Sequence, residues 1–320
     1  MTTKISLVRI AHVYYKYPDL EKARQFLLDF GLTEVQRAKV GEEERIYFRG
    51  YGTEPWVLCG IKSDKAEFAG AAFVVESESD LKSASETLPG ATGIYDLADA
   101  PGGGRGVTFL DPVDGYPMHL VHGQEKAKEL DTALGPIHIN YPERRGRTLN
   151  SFQRFKKGPA PVHKLGHFGV RTTNFAKAYE FYTSRFNFFA SDILHDADNI
   201  DRIVFFRINR GRKPVDHHSF FFAEGPSYKV HHSSFETHDF DTQALGHHWL
   251  REKGYKNAWG IGRHVLGSQI FDYWYDPSDF ILEHYADGDQ VNDYEPTHRA
   301  LTGPESMHVW GPEVPSAFLE

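Results

Sequence analysis

The sequence predicts an α+β protein built from two similar halves. Stretches with one shared pattern open the halves at Ile10–Phe26 and Gly166–Phe181, and stretches with another close them at Phe109–Gly123 and Tyr275–Gly288. Within each half, apolar strands surround amphipathic helices without the strict alternation of a doubly wound parallel sheet. Duplication of a unit of about 110–120 residues is the simplest account of both matches.

The opening match places His12 and His167 at the same position of an apolar strand. In both stretches an alanine follows eleven residues after the histidine, and a phenylalanine follows three residues later. An amphipathic helix comes after each strand. In the second half its apolar residues recur at helical spacing, and Asn174 is its predicted N-cap.

The closing match is a strand, an Asp-Pro turn and a second strand in each half. Aligning Asp111 with Asp276 places Met118 at the position of Glu283. Each half divides again, because another helix precedes this turn. In the second half that helix is predicted from Phe240 to Lys253, with Gly254 as its stop. The surrounding strands are predicted at Val230–Glu236, Ser268–Tyr275 and Phe280–Tyr285, so that each half is read as β-α-β-β repeated twice.

Composition and charge exclude several classes of function. The net charge of −8 gives no broad surface that would attract nucleic acid or anionic lipid. The sequence contains neither a signal-peptide pattern nor a run of about 18 apolar residues that would span a membrane. The only cysteine, Cys59, is interpreted as a buried strand residue with a structural role. We therefore expect a cytoplasmic protein without nucleic-acid or membrane partners.

Two of the candidate metal ligands are histidines on strands. His167 lies in the apolar strand that opens the second half, where a hydrogen-bonded core histidine is the simpler interpretation. His231 and His232 are adjacent, so only one of them can face inward from a strand. A histidine pair on a loop is the alternative interpretation of those two residues.

The third candidate is Glu283, which shares one strand face with Ile281 and Tyr285. A carboxylate on such a face costs several kcal/mol unless it is paired or bound to a cation. The alternative to a metal is a salt bridge to an arginine. Together, two histidines and one carboxylate form the facial triad of non-haem iron oxygenases, which leaves coordination positions open for substrate and dioxygen.

Further polar groups follow at defined intervals. The run His231-His232-Ser-Ser-Phe is followed by Gly262-Arg263-His264, then by Tyr273-Trp-Tyr-Asp-Pro-Ser, and then by Glu283. The intervals are 32 residues from His232 to His264, nine from His264 to Tyr273 and ten from Tyr273 to Glu283. In this order and spacing the chain resembles the type I extradiol ring-cleavage dioxygenases of the vicinal oxygen chelate superfamily, such as the catechol 2,3-dioxygenases and 2,3-dihydroxybiphenyl 1,2-dioxygenases. The resemblance covers nearly the whole chain and is densest from 163 to 288.

This resemblance implies the vicinal oxygen chelate (glyoxalase-like) fold, with four β-α-β-β-β modules paired into two similar domains. It implies metal ligands at His167, His232 and Glu283. The catalytic acid–base histidine falls on His217, fifteen residues before His232, with His218 as the alternative if the register shifts by one. His264 and Tyr273 fall on positions that hydrogen-bond the substrate.

The resemblance also implies the cofactor and the reaction. The metal is expected to be iron(II), although manganese(II) also suits imidazole and oxygen ligands. The substrates would be dioxygen and a catechol-type aromatic compound, and the product a 2-hydroxymuconic semialdehyde type. Relatives with carboxylated substrates often carry an arginine before the loop that ends in His264. Here that place reads Ala258-Trp259, which favours an apolar ring substituent without identifying the catechol.

The resemblance organises the chain as follows. Residues 1–130 are expected to form a scaffold domain. Aligning the two halves places His12, Gly70 and Met118 at the positions of the three ligands, so this domain is expected to bind no iron. Residues 131–160 would be a linker whose basic residues are solvated, 161–290 the catalytic domain, and 291–320 a tail. The tail contains Trp310 and Phe318 and is expected to cover the cavity; packing at a subunit interface is the alternative. A homo-oligomer is expected.

Two other functions are compatible with such a fold. One is another metalloenzyme of the superfamily, such as a glyoxalase or a hydroxyphenylpyruvate-type dioxygenase. The combination of His217, His264 and Tyr273 argues against both. The other is a metal-free binding protein, as in bleomycin-resistance relatives, which would not need Glu283 on an apolar face.

Overall fold

Two mixed sheets, one from each half of the chain, dominate the computed structural model, which describes residues 4–319. The first half contributes eight strands and two helices: β1 (Leu7–Tyr17), α1 (Leu20–Asp29), β2 (Thr33–Val40), β3 (Glu43–Arg49), β4 (Leu58–Lys62), β5 (Glu67–Val75), α2 (Glu78–Thr87), β6 (Tyr95–Asp96), β7 (Arg105–Leu110) and β8 (Pro117–His122). The strand order is β2-β3-β4-β1-β5-β8-β7-β6.

The second half contains the following elements: β9 (Val162–Thr172), α3 (Phe175–Arg185), β10 (Phe188–His195), β11 (Asp201–Ile208), β12 (Val215–Asp216), β13 (Phe220–Glu224), β14 (Lys229–Thr237), α4 (Phe240–Glu252), β15 (Asn257–Arg263), β16 (Ile270–Tyr275), β17 (Ile281–Ala286), β18 (Gln290–Val291), β19 (His298–Leu301) and α5 (Ser316–Leu319). Its nine-stranded sheet has the order β15-β16-β17-β14-β9-β13-β11-β10-β19, and β12 pairs with β18 apart from it.

The two sheets have the same topology. Reading the first sheet backwards matches β6 to β15, β5 to β14, β1 to β9 and β2 to β10, and β19 is an addition at the edge of the second sheet. Each half consists of two β-α-β-β-β modules, with the short β12 inserted in the third module. The predicted four-module fold is therefore confirmed.

Local predictions for the second half agree with the structure except at one strand. The side chain of Asn174 accepts a hydrogen bond from the amide of Lys177 at the start of α3, and α4 ends at Glu252, one residue before the predicted end. The sequence predicts a loop in the glycine-rich stretch before His264, and this prediction is wrong because the stretch forms β15. Glycine is needed there, since a Cβ at Gly262 would come within 2.3 Å of the neighbouring Phe271 ring.

One continuous hydrophobic core joins the halves. The rings of Phe68 and Phe168 lie 5.9 Å apart across it, and those of Tyr15 and Phe280 lie 4.7 Å apart. The hydroxyl of Tyr15 also hydrogen-bonds Ser233 at 2.7 Å. Because strand side chains alternate, the opposite face of each sheet is left to line a cavity.

The remaining sequence expectations concern the connection and Cys59. Between β8 and β9 the chain forms no helix or strand and contains one isolated bridge, between Asn140 and Arg145. Cys59 is buried on β4, where burial raises the pKa of its thiol to about 12, as suits a structural residue. Among residues 4–319, no helix is long and apolar enough to cross a membrane.

Candidate metal centre and surrounding cavity

Three neighbouring strands of the second sheet bring His167, His232 and Glu283 together. These residues lie on β9, β14 and β17, and Ser234 of the middle strand pairs with both His167 and Glu283. His232 lies two residues from Ser234 and therefore shares its face. The pairing of strands thus places on one face three side chains that are far apart in the sequence.

The ligand atoms of these residues form a compact triangle. The Nε2 atoms of His167 and His232 are 3.1 Å apart, and they lie 3.2 and 3.3 Å from Oε2 of Glu283. All three side chains are buried, and Glu283 has no exposed surface. Within the described chain, Glu283 makes ion-pair contacts with histidines and none with an arginine. The alternative of an arginine salt bridge is therefore wrong.

The protonation states suit a bound cation. Burial by itself would raise the pKa of the Glu283 carboxyl, but the two adjacent imidazoles outweigh it and hold that pKa well below its usual range. Burial lowers the pKa of His167, against the opposing effect of Glu283. A carboxylate beside neutral imidazole is the combination that binds a divalent metal.

The distances also fit a metal. Adjacent ligands of an octahedral ion with bonds of about 2.1 Å stand about 3 Å apart, close to the edges of the triangle. Within residues 4–319 these three form the only cluster of histidine, cysteine or acidic side chains compact enough to hold a metal ion. Among the described residues, no group donates a well-formed hydrogen bond to either carboxylate oxygen of Glu283. A buried carboxylate without a partner is costly unless it binds a cation.

The two adjacent histidines on β14 have different environments. His232 is the one in the triangle, and its Nδ1 lies 2.8 Å from Nδ1 of His231. The ring of His231 packs edge-on against Phe318 at 4.9 Å. His231 also lines the cavity, and its contact orients the ring of His232 in the way that neighbouring groups commonly orient metal-ligating histidines.

His264 and Tyr273 lie next to the triangle. Nε2 of His264 is 2.8 Å from the hydroxyl of Tyr273, and its Nδ1 is 2.6 Å from the carbonyl oxygen of Met307. Tyr273 pairs with Glu283 across β16 and β17. Burial, with a contribution from Glu283, raises the pKa of Tyr273 well above its usual value, so the phenol keeps its proton.

The predicted position of the acid–base residue needs a correction. His218 lines the cavity, with its ring 4.1 Å from that of His167, whereas His217 does not line it. Nε2 of His217 instead lies 2.7 Å from Oδ2 of Asp192. Residues 217–219 form a bend before β13 begins, so strand alternation does not determine which histidine faces inward. The alternative residue, His218, thus takes the position expected of His217.

Sequence reasoning missed Asp192. It lies on β10 among apolar residues and is 5% exposed. The argument that singled out Glu283, a carboxylate in an apolar strand, applies equally to Asp192. Applied to β10, it would have marked this residue as one that requires a buried partner.

The cavity beside the triangle has a volume of about 460 Å³. Apart from the histidines and Tyr273, its wall is mainly apolar, with charged groups at Arg171, Arg202 and Glu224; the apolar residues include Leu194, Ile203, Phe205, Phe221, Ala223 and Leu266. A larger space of 690 Å³ follows the connection between the halves, but no compact set of metal-binding side chains was found there among the described residues. The smaller cavity is therefore the candidate site.

The C-terminal segment contributes to this cavity. Ser306, Met307 and Phe318 line it. Upstream of these residues, β19 pairs with β10 at the edge of the sheet. Between Met307 and Phe318, Trp310 forms an isolated bridge with Arg263. The segment thus contacts the cavity from its own half of the chain, and its role as a lid stays a prediction.

The first half shows a register different from the predicted one. His119, not Met118, stands at the position of Glu283, so the predicted alignment is wrong by one residue. The cause is the turn between the strands. The backbone hydrogen bond that closes it spans Asp111–Tyr116 in the first half and Asp276–Phe280 in the second, which is one residue shorter.

The first half nevertheless cannot reproduce the triangle. Gly70 stands where the second half has His232, and a Cβ there would lie 2.4 Å from a backbone oxygen of β8. The ring of His12 stacks on Trp56 at a centroid distance of 3.4 Å. Both ring nitrogens of His119 lie within 2.9 Å of protein oxygen atoms. There is no room for a ligand side chain at the position of Gly70. His119 already makes hydrogen bonds through both ring nitrogens.

Replacing His12 with alanine should therefore leave the metal content unchanged. We expect one metal per chain before and after the substitution, measured by elemental analysis, because no ligand would be lost. The free energy of unfolding should fall by roughly 1–3 kcal/mol, since the ring leaves a cavity against Trp56. A wild-type content of two metals per chain that falls to one in His12→Ala would show instead that the first half holds a second ion.

Comparison with known proteins gives a consistent set of similarities. The family model of the Glyoxalase/Bleomycin resistance protein/Dioxygenase superfamily matches residues 164–284. Metapyrocatechase 2 of Cupriavidus necator is 28% identical, over 97% of this chain and 91% of its own length. The 3-methylcatechol 2,3-dioxygenase of Pseudomonas putida is 24% identical, over 96% of this chain and 98% of its own. The similarity to both relatives thus spans the two halves.

Solved structures agree on the fold. A manganese(II)-bound glyoxalase from Novosphingobium aromaticivorans is 24% identical with a TM-score of 0.79, over 97% of this chain and 93% of that one. Homoprotocatechuate 2,3-dioxygenase from Arthrobacter globiformis is 20% identical with a TM-score of 0.78, over 100% of this chain and 93% of that one. At these identities the likeness establishes the shared architecture alone.

Proposed function

We propose that the chain, whose residues 164–284 match the model of the Glyoxalase/Bleomycin resistance protein/Dioxygenase superfamily, is an iron(II)-dependent extradiol dioxygenase. It would cleave a catechol-type ring beside the vicinal diol with dioxygen and release a 2-hydroxymuconic semialdehyde-type product. The observation that carries the proposal is the buried triangle of His167, His232 and Glu283 beside a largely apolar cavity. The names of the two relatives that match over nearly their full length support it.

His167, His232 and Glu283 would hold iron(II), which would supply coordination of the diol and activation of dioxygen. The protein supplies the proton transfers. Burial, together with His167 and His217, lowers the pKa of His218 well below its usual value, so its imidazole is neutral. A neutral imidazole in this cavity can accept a proton from a catechol hydroxyl and return it later in the reaction.

His264 and Tyr273 are placed to orient the substrate. When Nδ1 of His264 donates to the carbonyl of Met307, its Nε2 accepts the proton of the Tyr273 hydroxyl. The oxygen of Tyr273 then keeps its lone pairs for a hydroxyl of the bound catechol. Both side chains are held in place before the substrate arrives, so little reorganisation accompanies binding.

The cavity wall favours a particular class of ring substituent. Beyond the triangle, its apolar side chains, such as Phe205 and Phe221, would bury an alkyl or aryl group at a gain of about 25 cal/mol per Å². Of the charged groups, Arg202 already pairs with Asp196 and Glu224. We therefore expect catechols with apolar substituents to react better than those with a carboxylate.

Oxygen uptake tests the proposed function. Protein reconstituted anaerobically with iron(II) should consume one dioxygen per catechol and form a yellow ring-opened product, whereas metal-free protein should do neither. Parallel loading with manganese(II) decides the metal, and 3-methylcatechol compared with 3,4-dihydroxybenzoate decides the substituent. An iron-replete protein that consumes no oxygen with any catechol would contradict the proposal. Turnover of a glutathione hemithioacetal would favour the glyoxalase alternative.

The C-terminal segment is proposed to act as a lid. Truncation after Thr302 leaves β19 in place and removes Met307 and Phe318 from the cavity wall. Because the opened cavity admits water, we expect the apparent KM for catechol to rise several-fold and inactivation by oxygen to accelerate. Iron should stay bound. Initial rates and the half-life of activity in air measure both effects.

Two results would reject the lid. Wild-type KM and oxygen tolerance in the truncated protein would show that the segment does not cover the cavity in solution. Dissociation into smaller species on gel filtration would assign the segment to a subunit interface.

A further inference from the structure

A buried Asp–His pair lies directly behind the histidine that faces the cavity. Asp192 on β10 contacts Nε2 of His217 at 2.7 Å, and Nδ1 of His217 lies 3.1 Å from Nδ1 of His218. The three side chains are 4–7% exposed. They form a chain of hydrogen bonds that leads from β10 to the cavity.

The donor and acceptor of each hydrogen bond between Asp192, His217 and His218 can be assigned by starting from Asp192. An ionised carboxylate only accepts hydrogen bonds, so Nε2 of His217 must carry the hydrogen that reaches Asp192. In neutral His217 the other nitrogen, Nδ1, then has a lone pair. The contact between the two Nδ1 atoms requires one donor, so the hydrogen lies on Nδ1 of His218. Nε2 of His218 is left unprotonated.

The backbone of His217 is held from both sides. Its amide donates to the carbonyl of Asp289 at 3.0 Å, and its carbonyl accepts from the hydroxyl of Ser191 at 2.6 Å. Ser191 in turn lies 3.2 Å from the buried guanidinium of Arg207. His217 therefore has little freedom to turn its ring away from Asp192.

We propose that Asp192 and His217 are positioning residues that set the tautomer of His218, so that its Nε2 presents a lone pair to the bound catechol. The inference rests on the proposed function and adds to it the origin of the free nitrogen. Proton acceptance at that atom needs the lone pair in place before the substrate binds. A buried carboxylate and a second imidazole provide it without touching the substrate.

The substitution Asp192→Asn tests the inference. An asparagine amide can donate to Nε2 of His217, which moves the hydrogen to Nδ1 of His217 and in turn to Nε2 of His218. We expect kcat to fall at least about ten-fold, while iron content and KM stay within about two-fold of the wild type. Asp198→Asn, in the exposed turn that follows β10, is the matched control and should leave all three unchanged.

A double-mutant cycle separates positioning from a general structural role. If Asp192 acts through His218, Asp192→Asn should change kcat by less than about two-fold when His218 is already asparagine. An equal loss in both backgrounds, or wild-type kcat in Asp192→Asn, would overturn the inference. The wild-type protein is assayed alongside: if it consumes no oxygen with any catechol, the proposed function fails instead.

Discussion

Replacing Glu283 with alanine should leave a folded protein that holds no iron and consumes no oxygen with catechol. Glu283 is the only carboxylate in the triangle, and its removal leaves two imidazoles whose Nε2 atoms are 3.1 Å apart. The metal's stabilisation of the transition state, worth several kcal/mol, would be lost, so activity should fall at least about 10³-fold. Elemental analysis and oxygen uptake on the same preparation measure both losses.

Stability provides an independent readout for the same variant. A bound metal stabilises only a protein that can hold it. Iron(II) should therefore raise the Tm of the wild type and leave the Tm of Glu283→Ala unchanged. The control is Glu236→Ala, which removes a partly buried carboxylate that pairs with His163 and should keep the iron. Iron-replete, active Glu283→Ala protein would exclude this residue as a ligand.

Replacing His218 with asparagine should leave the metal bound and remove most of the turnover. The asparagine side chain can hydrogen-bond but cannot take up a proton at neutral pH, so kcat should fall by about 10²–10⁴. KM should change little, because the groups proposed to hold the diol are unaltered. Steady-state oxygen uptake, with iron measured per chain, shows whether kcat falls while KM stays nearly constant.

His238, a partly buried histidine outside the cavity, supplies the comparison for that experiment. It pairs with Asp239 at the start of α4 and does not line the cavity. His238→Asn should behave as wild type. Unchanged kcat in His218→Asn would dismiss the acid–base role, and loss of iron would make His218 part of the metal site.

Several features of the site were predictable because they follow from local chemistry. Glu283 was identifiable because an unpaired carboxylate on an apolar strand face is costly wherever the strand packs. The four-module order followed from the resemblance, while the residues alone indicated one strand fewer per module. The strand β15 was missed because its glycines, needed for close packing against Phe271, are typical of loops in a single sequence.

Other features depended on contacts between distant segments. Asp192 reaches His217 from a strand 25 residues away, and Met307 reaches His264 from a segment 43 residues away. Neither spacing has a local period that a sequence pattern could reveal. Both contacts depend on the sheet order and on the path of the C-terminal segment, which are properties of the tertiary structure.

The sequence by itself determined the duplicated architecture and the types of ligand, because strand periodicity and the cost of burying charge act within a few residues. Only the tertiary structure decided between His217 and His218, and between Met118 and His119. In both pairs the residues are adjacent, and a bend or a turn longer by one residue exchanges them. A shift of one residue moves a side chain to the opposite face of a sheet, so positions in the cavity depend on register, which is set by the backbone pairing of whole strands.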